Sequence, residues 1–152
     1  MKFHVDPECL RKTGALQFSL DSWIDTAPFE LLLGLKIVHA KDGEAYLTLP
    51  FCVKHANGGG VMHGGAMVTL ADTAVAMAIK TLLPEGTVFA TTELQMEFAS
   101  PVLEGLVHAK ARVEGPEGRS FQGFAQLLDD KGSVLASFRS TFRVARGQGF
   151  ND

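Results

Sequence analysis

The centre of the chain has the hydrophobic periodicity of a helix. Within residues 66–83, apolar positions recur every three or four residues and cover most of a helix circumference. These positions are Met67, Val68, Leu70, Ala71, Ala74, Val75, Ala78, Ile79 and Leu82. A helix that is apolar on nearly every side is normally buried. The remaining polar stripe contains Thr69, Asp72, Thr73 and Lys80, so one carboxylate is expected on a buried helix.

The residues after this helix have the period of two that indicates half-buried strands. Residues 91–98 alternate strictly, which assigns Thr92 to the apolar side with Leu94 and Thr91 to the opposite side. Three more alternating stretches follow, at residues 103–113, 119–128 and 134–144. Turn-forming residues at 115–118 and 129–132 separate them, so the pattern predicts an antiparallel meander.

The residues before the helix predict a hairpin, with strands at 35–40 and 44–49. Two strands, one long helix and four strands indicate an α+β fold in which an antiparallel sheet wraps around one long central helix. Short helices are predicted at residues 21–23 and 28–34, the second beginning at a proline and ending at a glycine. We therefore divide the chain into a partly helical N-terminal extension (1–27), one domain (28–145) and a flexible tail (146–152).

The composition limits the kinds of partner and the cellular compartment that we expect for the protein. The chain has 152 residues, and its 46% of hydrophobic residues suffice for one core without disulfides or metals. The formal net charge is −3 and the basic residues are scattered, which disfavours nucleic acid as a partner. No apolar run is long enough to span a membrane, and residues 1–8 contain no signal-peptide core. With Cys9 and Cys52 as the only cysteines, a cytoplasmic protein with free thiols is expected.

A glycine-rich loop leads into the central helix and brings the candidate chemistry together. The loop runs from Asn57 to His63, and Gly64 and Gly65 form the first turn of the helix. Amides at a helix N-terminus have no partner within the helix and carry partial positive charge, so they stabilise an oxygen that becomes negative. Asp72 adds a base or a nucleophile. Taken alone, the glycines are consistent with a flexible loop, and Asp72 is consistent with a solvated surface residue. Their combination indicates a site for acyl chemistry.

Other kinds of site find less support in the sequence. A Gly-x-Ser-x-Gly nucleophile motif is absent, and no motif surrounds Cys52. His55 and His63 lack the spacing of metal ligands, so no metal and no cofactor are expected. The glycines are not followed by Lys-Ser or Lys-Thr, as a phosphate-binding loop requires. Arg119 and Ser120 are weak candidates for contacts with a phosphate, with an exposed turn as the alternative interpretation.

The order of elements and the spacing of Asn57, His63, Gly64 and Asp72 resemble the hot-dog fold acyl-CoA thioesterases, in particular the phenylacetate-degradation branch. The resemblance covers about residues 28–145. It implies a homodimer whose two sheets join, usually paired into a tetramer, with each active site between two subunits. CoA would then be part of the substrate rather than a cofactor.

The resemblance also implies a role for each matching residue. Asp72 would act on the thioester carbonyl carbon directly or through water, and the Gly64 amide would polarise the thioester oxygen. Asn57 would orient the water or the acyl group, and His63 would lie beside them, although a structural role for His63 is equally open. Assistance is expected from a Ser or Thr early in the following strand, which is Thr91, with Thr92 as the alternative. Gly65, Thr92, Arg119 and Ser120 are the candidate substrate contacts.

We therefore expect hydrolysis of acyl-CoA thioesters to the free acid and CoA. The first alternative is a non-catalytic module that binds acyl-CoA or an acyl carrier, which would need the cleft but not Asp72. A hot-dog hydratase is disfavoured because its Asp-x-x-x-x-His spacing is missing.

Overall fold

A six-stranded antiparallel sheet wraps one long helix in the computed structural model, which describes residues 1–8 and 17–151. The elements are β1 (Lys2–Phe3), β2 (Phe18–Ser19), α1 (Pro28–Leu33), β3 (Lys36–Lys41), β4 (Glu44–Pro50), α2 (Gly64–Lys80), β5 (Phe89–Phe98), β6 (Leu106–Glu117), β7 (Ser120–Leu128) and β8 (Val134–Val144). The large sheet has the order β3-β4-β6-β7-β8-β5, and β1 and β2 form a separate pair. The predicted α+β architecture is confirmed. The predicted meander is correct for β6, β7 and β8 but wrong for β5, which pairs with β8 rather than with β6.

The central helix α2 is the core of the molecule. It contacts all six strands of the large sheet, and ten of its residues are buried. The facing strands alternate as a half-buried sheet requires: in β7, Phe121, Ala125 and Leu127 are buried and Gln122 and Gln126 are exposed. Burial of α2 on nearly every side follows from its apolar circumference, as the sequence predicts.

Helix and sheet approach each other closely at Gly123 of β7. A Cβ atom at this position would lie 2.2 Å from Cγ1 of Val75 on α2 and 2.7 Å from Oγ of Ser140 on β8. Neither distance is compatible with a real side chain, so the glycine is what allows α2 to lie flat against the strand. This contact fixes the depth at which the rest of the helix sits.

The helix begins at Gly64, as predicted, but ends at Lys80 rather than at residue 83. The hydroxyl of Thr81 donates to the Ala78 carbonyl at 2.6 Å and accepts from the Gly43 amide at 2.8 Å. These two bonds tie the end of the helix to the β3–β4 turn. Leu82 and Leu83 then continue the apolar pattern outside the helix.

The turn predicted at residues 115–118 is wrong, because β6 runs on to Glu117. Gly115 has a φ of 112°, and the Gly115–Pro116 peptide bond is cis. Pairing with β7 shifts after Glu114 and resumes at Glu117 opposite Ser120. Glycine and proline therefore form an irregularity within the strand pair, and the chain reverses after Glu117.

The helix predicted at residues 21–23 is also wrong, since these residues form bends. The Asp25 carboxylate accepts from the Asp21 and Thr26 amides, which holds this segment as a local turn. The first helix among the described residues is α1, whose bounds at Pro28 and Gly34 match the sequence. Cys9 lies outside the described residues.

A β-bulge in β5 changes which threonine faces the helix. Thr91 pairs with Phe142 and Glu93 pairs with Thr141, which leaves Thr92 as the extra residue. The alternation restarts there, so Thr91 and Leu94 lie on the same side of the sheet, the side on which their partners Phe142 and Ser140 of β8 are buried. The prediction that Thr92 lies on this side is wrong, because strict alternation does not anticipate a bulge.

None of the helices in the described part of the chain has both the length and the apolar content needed to cross a membrane.

The contact at Gly123 can be tested by stability. Gly123→Ala forces a methyl group into the space held by Val75 and Ser140, so the free energy of unfolding should fall by about 1–3 kcal/mol. Gly58→Ala is the matched control, since nothing lies within 4 Å of its Cβ position, and it should change stability by less than about 0.5 kcal/mol. Urea unfolding measures both, and equal stabilities would contradict the packing described.

Candidate active site

The start of α2 is built by the loop that precedes it. His63 is the N-cap residue, and its ring Nδ1 accepts a hydrogen bond from the Gly65 amide at 2.8 Å. The His63 amide donates to the His55 carbonyl at 2.7 Å, and Ala56 and Met62 form an antiparallel bridge. His63 therefore has a structural role in this loop, and it occupies the Gly65 amide.

The Gly64 amide is the donor that remains at this end of the helix. No described residue accepts a hydrogen bond from it. A Cβ atom at position 64 would lie 3.1 Å from Cζ of Phe98, so the Phe98 ring covers the glycine. Phe98 is 54% exposed. An oxygen that displaces it would meet an amide at the positive end of a 17-residue helix.

Asn57 lines the cavity in front of this amide. The cavity has a volume of about 340 Å³ and is also lined by Gly64, Met67 and Phe98. The Asn57 side-chain oxygen accepts from the Gly59 amide at 2.8 Å, which shapes the glycine-rich turn. Its carboxamide nitrogen is the group left to contact a ligand.

Asp72 lies further along α2, in a second cavity of about 340 Å³. The Thr91 hydroxyl donates to Asp72 Oδ1 at 2.9 Å, across the space between α2 and β5. Burial raises the pKa of the Asp72 carboxyl, and the negative charge of Glu30 raises it further, whereas the bond from Thr91 lowers it. The net direction is upward, because desolvation disfavours the charged carboxylate. A carboxylate of this kind is a stronger base than one in water.

The two cavities belong to different parts of the helix. Gly64 and Asp72 are eight residues apart, which corresponds to about 12 Å along a helix axis. One thioester carbonyl could not contact both groups of a single chain at hydrogen-bond distance. The structure thus brings Asp72 together with Thr91, and Gly64 together with Asn57, but does not bring these pairs together within one protomer.

The remaining predicted residues lie outside these cavities. The Thr92 hydroxyl donates to the Thr141 carbonyl, on the bulge of β5. Arg119 donates to the Val144 carbonyl at 2.7 Å, and Ser120 begins β7. No group of three His, Cys, Asp or Glu side chains in residues 1–8 and 17–151 is arranged to hold a metal ion.

A larger concavity of about 900 Å³ contains none of the predicted residues. It is lined by Tyr46, Arg112 and Phe124. Along their strands, these residues alternate with the residues that face α2. It has neither an open helix amide nor a half-buried carboxylate. We therefore place the candidate site in the two smaller cavities.

Three residues of the Asp72 cavity were missed in the sequence: Trp23, Glu30 and Lys80. Lys80 donates to the Trp23 carbonyl at 2.8 Å and lies 4.7 Å from the centre of its ring. Lys80 is visible on the polar stripe of α2, at two helical turns from Asp72. No sequence pattern links α1 and the segment before it to that stripe, so Glu30 and Trp23 could be found only in three dimensions.

The comparisons with known proteins identify the family of the chain. The model of the Thioesterase superfamily matches residues 59–136, about half of the chain. A Halobacterium salinarum protein named "Putative esterase" is 30% identical over 137 residues, covering 84% of this chain and 91% of that protein. The chain therefore belongs to the Thioesterase superfamily, and its fold is the hot-dog fold of these thioesterases.

Two solved structures are similar over nearly their whole length. A conserved protein of Pseudomonas aeruginosa has 28% identity and a TM-score of 0.76, covering 81% of this chain and 97% of that one. A mutant of the phenylacetic acid degradation protein PaaI from Thermus thermophilus has 29% identity and a TM-score of 0.71, covering 77% of this chain and 98% of that one. The phenylacetate-degradation proteins are thus among the structural neighbours, as the sequence motif indicates.

The Thr91 hydrogen bond gives a test of the bulge and of the electrostatics of Asp72. Thr91→Val removes a donor to the carboxylate, so the pKa of Asp72 should rise and its titration midpoint should move to higher pH. Thr92→Val is the matched control and should leave the midpoint unchanged, because Thr92 bonds the Thr141 carbonyl instead. Carbon-13 NMR of the Asp72 carboxyl follows the titration. A shift of the Asp72 midpoint in Thr92→Val but not in Thr91→Val would mean that Thr92, and not Thr91, donates to Asp72.

Proposed function

We propose that the protein hydrolyses acyl-CoA thioesters to the free acid and CoA. The observation that carries this proposal is the half-buried Asp72 carboxylate, held by Thr91, on a helix whose Gly64 amide has no acceptor among the described residues. Membership of the Thioesterase superfamily supports thioester hydrolysis in general. The acyl-CoA substrate and the role of Asp72 are our inference.

The chemistry requires one base and one oxyanion donor. In the first route, Asp72 takes a proton from water while the water oxygen bonds to the thioester carbonyl carbon. The carbonyl oxygen becomes negative and is stabilised by the Gly64 amide, which contributes about 10²–10³ in rate. The carbon–sulfur bond then breaks, and the departing sulfur takes the proton from Asp72. In the second route, the Asp72 carboxylate attacks the carbonyl carbon itself, the carbon–sulfur bond breaks, and CoA leaves as a thiolate that takes a proton from solvent. Water then hydrolyses the resulting anhydride to the free acid and the Asp72 carboxylate. The geometry is compatible with both routes.

The separation along α2 makes the proposed site a composite of two chains. Since Gly64 and Asp72 of one chain are too far apart for one carbonyl, we infer that the amide of one protomer meets the carboxylate of its partner. The sheet offers a surface for such pairing, because β5 is an edge strand of ten residues with Leu94 and Phe98 exposed on it. We propose a homodimer with two such sites, and a dimer of dimers as the larger assembly.

Within this site the other residues take supporting roles. Asn57 would orient the water or the acyl group by its free carboxamide nitrogen, and His63 would hold the loop that presents Gly64. We place Gly65, Thr92, Arg119 and Ser120 in outer contacts with the substrate, with CoA phosphates as the partners of Arg119 and Ser120. We further propose action in the cytoplasm without a metal or cofactor, and with neither nucleic acid nor membrane as a partner.

The central role of Asp72 can be tested by a neutral replacement of nearly the same shape. Asp72→Asn keeps an acceptor for the Thr91 hydroxyl but removes the base, so kcat for the best acyl-CoA substrate should fall by about 10²-fold or more. Asp42→Asn is the control, because that carboxylate lies in an exposed turn. A solvated surface role for Asp72 would instead change the rate by less than about threefold. Circular dichroism must show that the variant is folded.

The composite site predicts that two inactive variants restore each other. Gly64→Pro removes the amide donor, and its backbone position suits proline, since Gly64 is the first helical residue and His63 has an extended ψ of 133°. In a dimer of Gly64→Pro with Asp72→Asn, one of the two sites would contain both native groups. After mixing and refolding in equal amounts, thiol release should recover to about one quarter of the wild-type rate for random C₂ dimers. No recovery, with heterodimers present, would show that both groups act from one chain.

A further inference from the structure

Glu30 of α1 faces away from its own helix and toward α2. The N-cap of α1, Ala27, has no side-chain cap, and the Glu30 carboxylate does not supply one. Instead, Glu30 Oε1 accepts a hydrogen bond of 3.4 Å from the hydroxyl of Thr73, the residue next to Asp72. An acidic residue in the first turn of a helix ordinarily interacts with that helix's own amides. Glu30 is held across the gap between the two helices.

The second oxygen of Glu30 has no hydrogen-bond partner among the described residues, although it is buried. A buried carboxylate oxygen without a donor is costly, and native proteins contain few of them. Those that persist are concentrated where the protein uses the charge for a purpose.

Glu30 lines the cavity that contains Asp72 and Thr91. The other charged groups of this cavity are Asp25, before α1, and Lys80, on α2, while β5 and β8 present Thr91 and Phe142 to it. Lys80 is bonded to the Trp23 carbonyl, and the Asp25 carboxylate is bonded to the Asp21 and Thr26 amides. Glu30 is the cavity carboxylate that has a buried oxygen with no hydrogen-bond donor among the described residues, and its charge interacts with that of Lys80.

We propose that Glu30 is a positioning residue of the thioester hydrolysis: its carboxylate, held against α2 by Thr73, keeps Asp72 a strong base. This inference rests on the proposed function. Two carboxylates in one cavity repel each other, so the negative charge of Glu30 favours the protonated form of Asp72. The negative charge of Glu30 accordingly raises the pKa of Asp72, in the same direction as burial does, and Asp25 is not among the groups that shift it.

The test is Glu30→Gln, which removes the charge and keeps an oxygen to accept from Thr73. The pKa of Asp72 should fall, so the acid limb of the kcat/KM profile should move to lower pH. On the alkaline plateau kcat should fall by about two- to tenfold, because a weaker base transfers a proton less readily, with KM unchanged. A merely structural role for Glu30 would lower activity and stability without moving the acid limb.

Asp25→Asn is the matched control for Glu30→Gln. It removes one negative charge from the same cavity, but from a carboxylate that is not among the causes of the raised pKa of Asp72. The acid limb should therefore stay where it is in the wild type. Equal shifts for both variants would overturn the specific role of Glu30 and leave only a general effect of net charge.

A second readout separates this proposal from the proposed function. Carbon-13 NMR titration of the Asp72 carboxyl needs no turnover, so it can be made on a protein that hydrolyses nothing. A lower midpoint in Glu30→Gln, together with an inactive wild type, would support the coupling of the two carboxylates and overturn the hydrolysis. An unchanged midpoint would overturn the role of Glu30 whether or not the protein hydrolyses acyl-CoA.

Discussion

The burial of α2 within the curved sheet is the constraint on which the rest of the structure depends. Gly123 permits the helix to lie against β7 at a distance that no side chain would allow, and the apolar circumference of the helix is then enclosed by six strands. A polar residue on such a helix cannot be fully solvated. Asp72 is therefore half-buried by the same packing that stabilises the fold, and the proposed chemistry uses the higher basicity that this burial produces.

The length of α2 imposes a second condition. The helix has one end that can stabilise negative charge and one interior carboxylate, about 12 Å apart along its axis. A rigid element cannot bend to bring these two groups to one carbonyl. The homodimer that we propose would satisfy the geometry without any change in the helix, and β5 is an edge strand at which a second copy could pair. Assembly and catalysis would then both follow from the separation of Gly64 and Asp72 along α2.

The sequence predicted those features that follow from periodicity and from local motifs. The burial of α2, its start at Gly64 and the place of Asp72 on its polar stripe are all properties of short segments. The bulge that turns Thr91 toward the helix was not predictable, because strict alternation assigns that side to Thr92. The residues at 115–118 look like a turn but lie within β6, since glycine and proline also occur at irregularities inside strand pairs. Glu30 and Trp23 reach the cavity through tertiary packing, for which the sequence carries no local signal.

The most direct measurement is thiol release by the wild-type protein from a panel of aromatic and aliphatic acyl-CoA thioesters of graded length. The account predicts turnover of at least one class of thioester, with no added metal or cofactor. Binding of acyl-CoA without thiol release from any member of the panel would contradict it, and would instead assign the protein to the acyl-binding modules that share this fold.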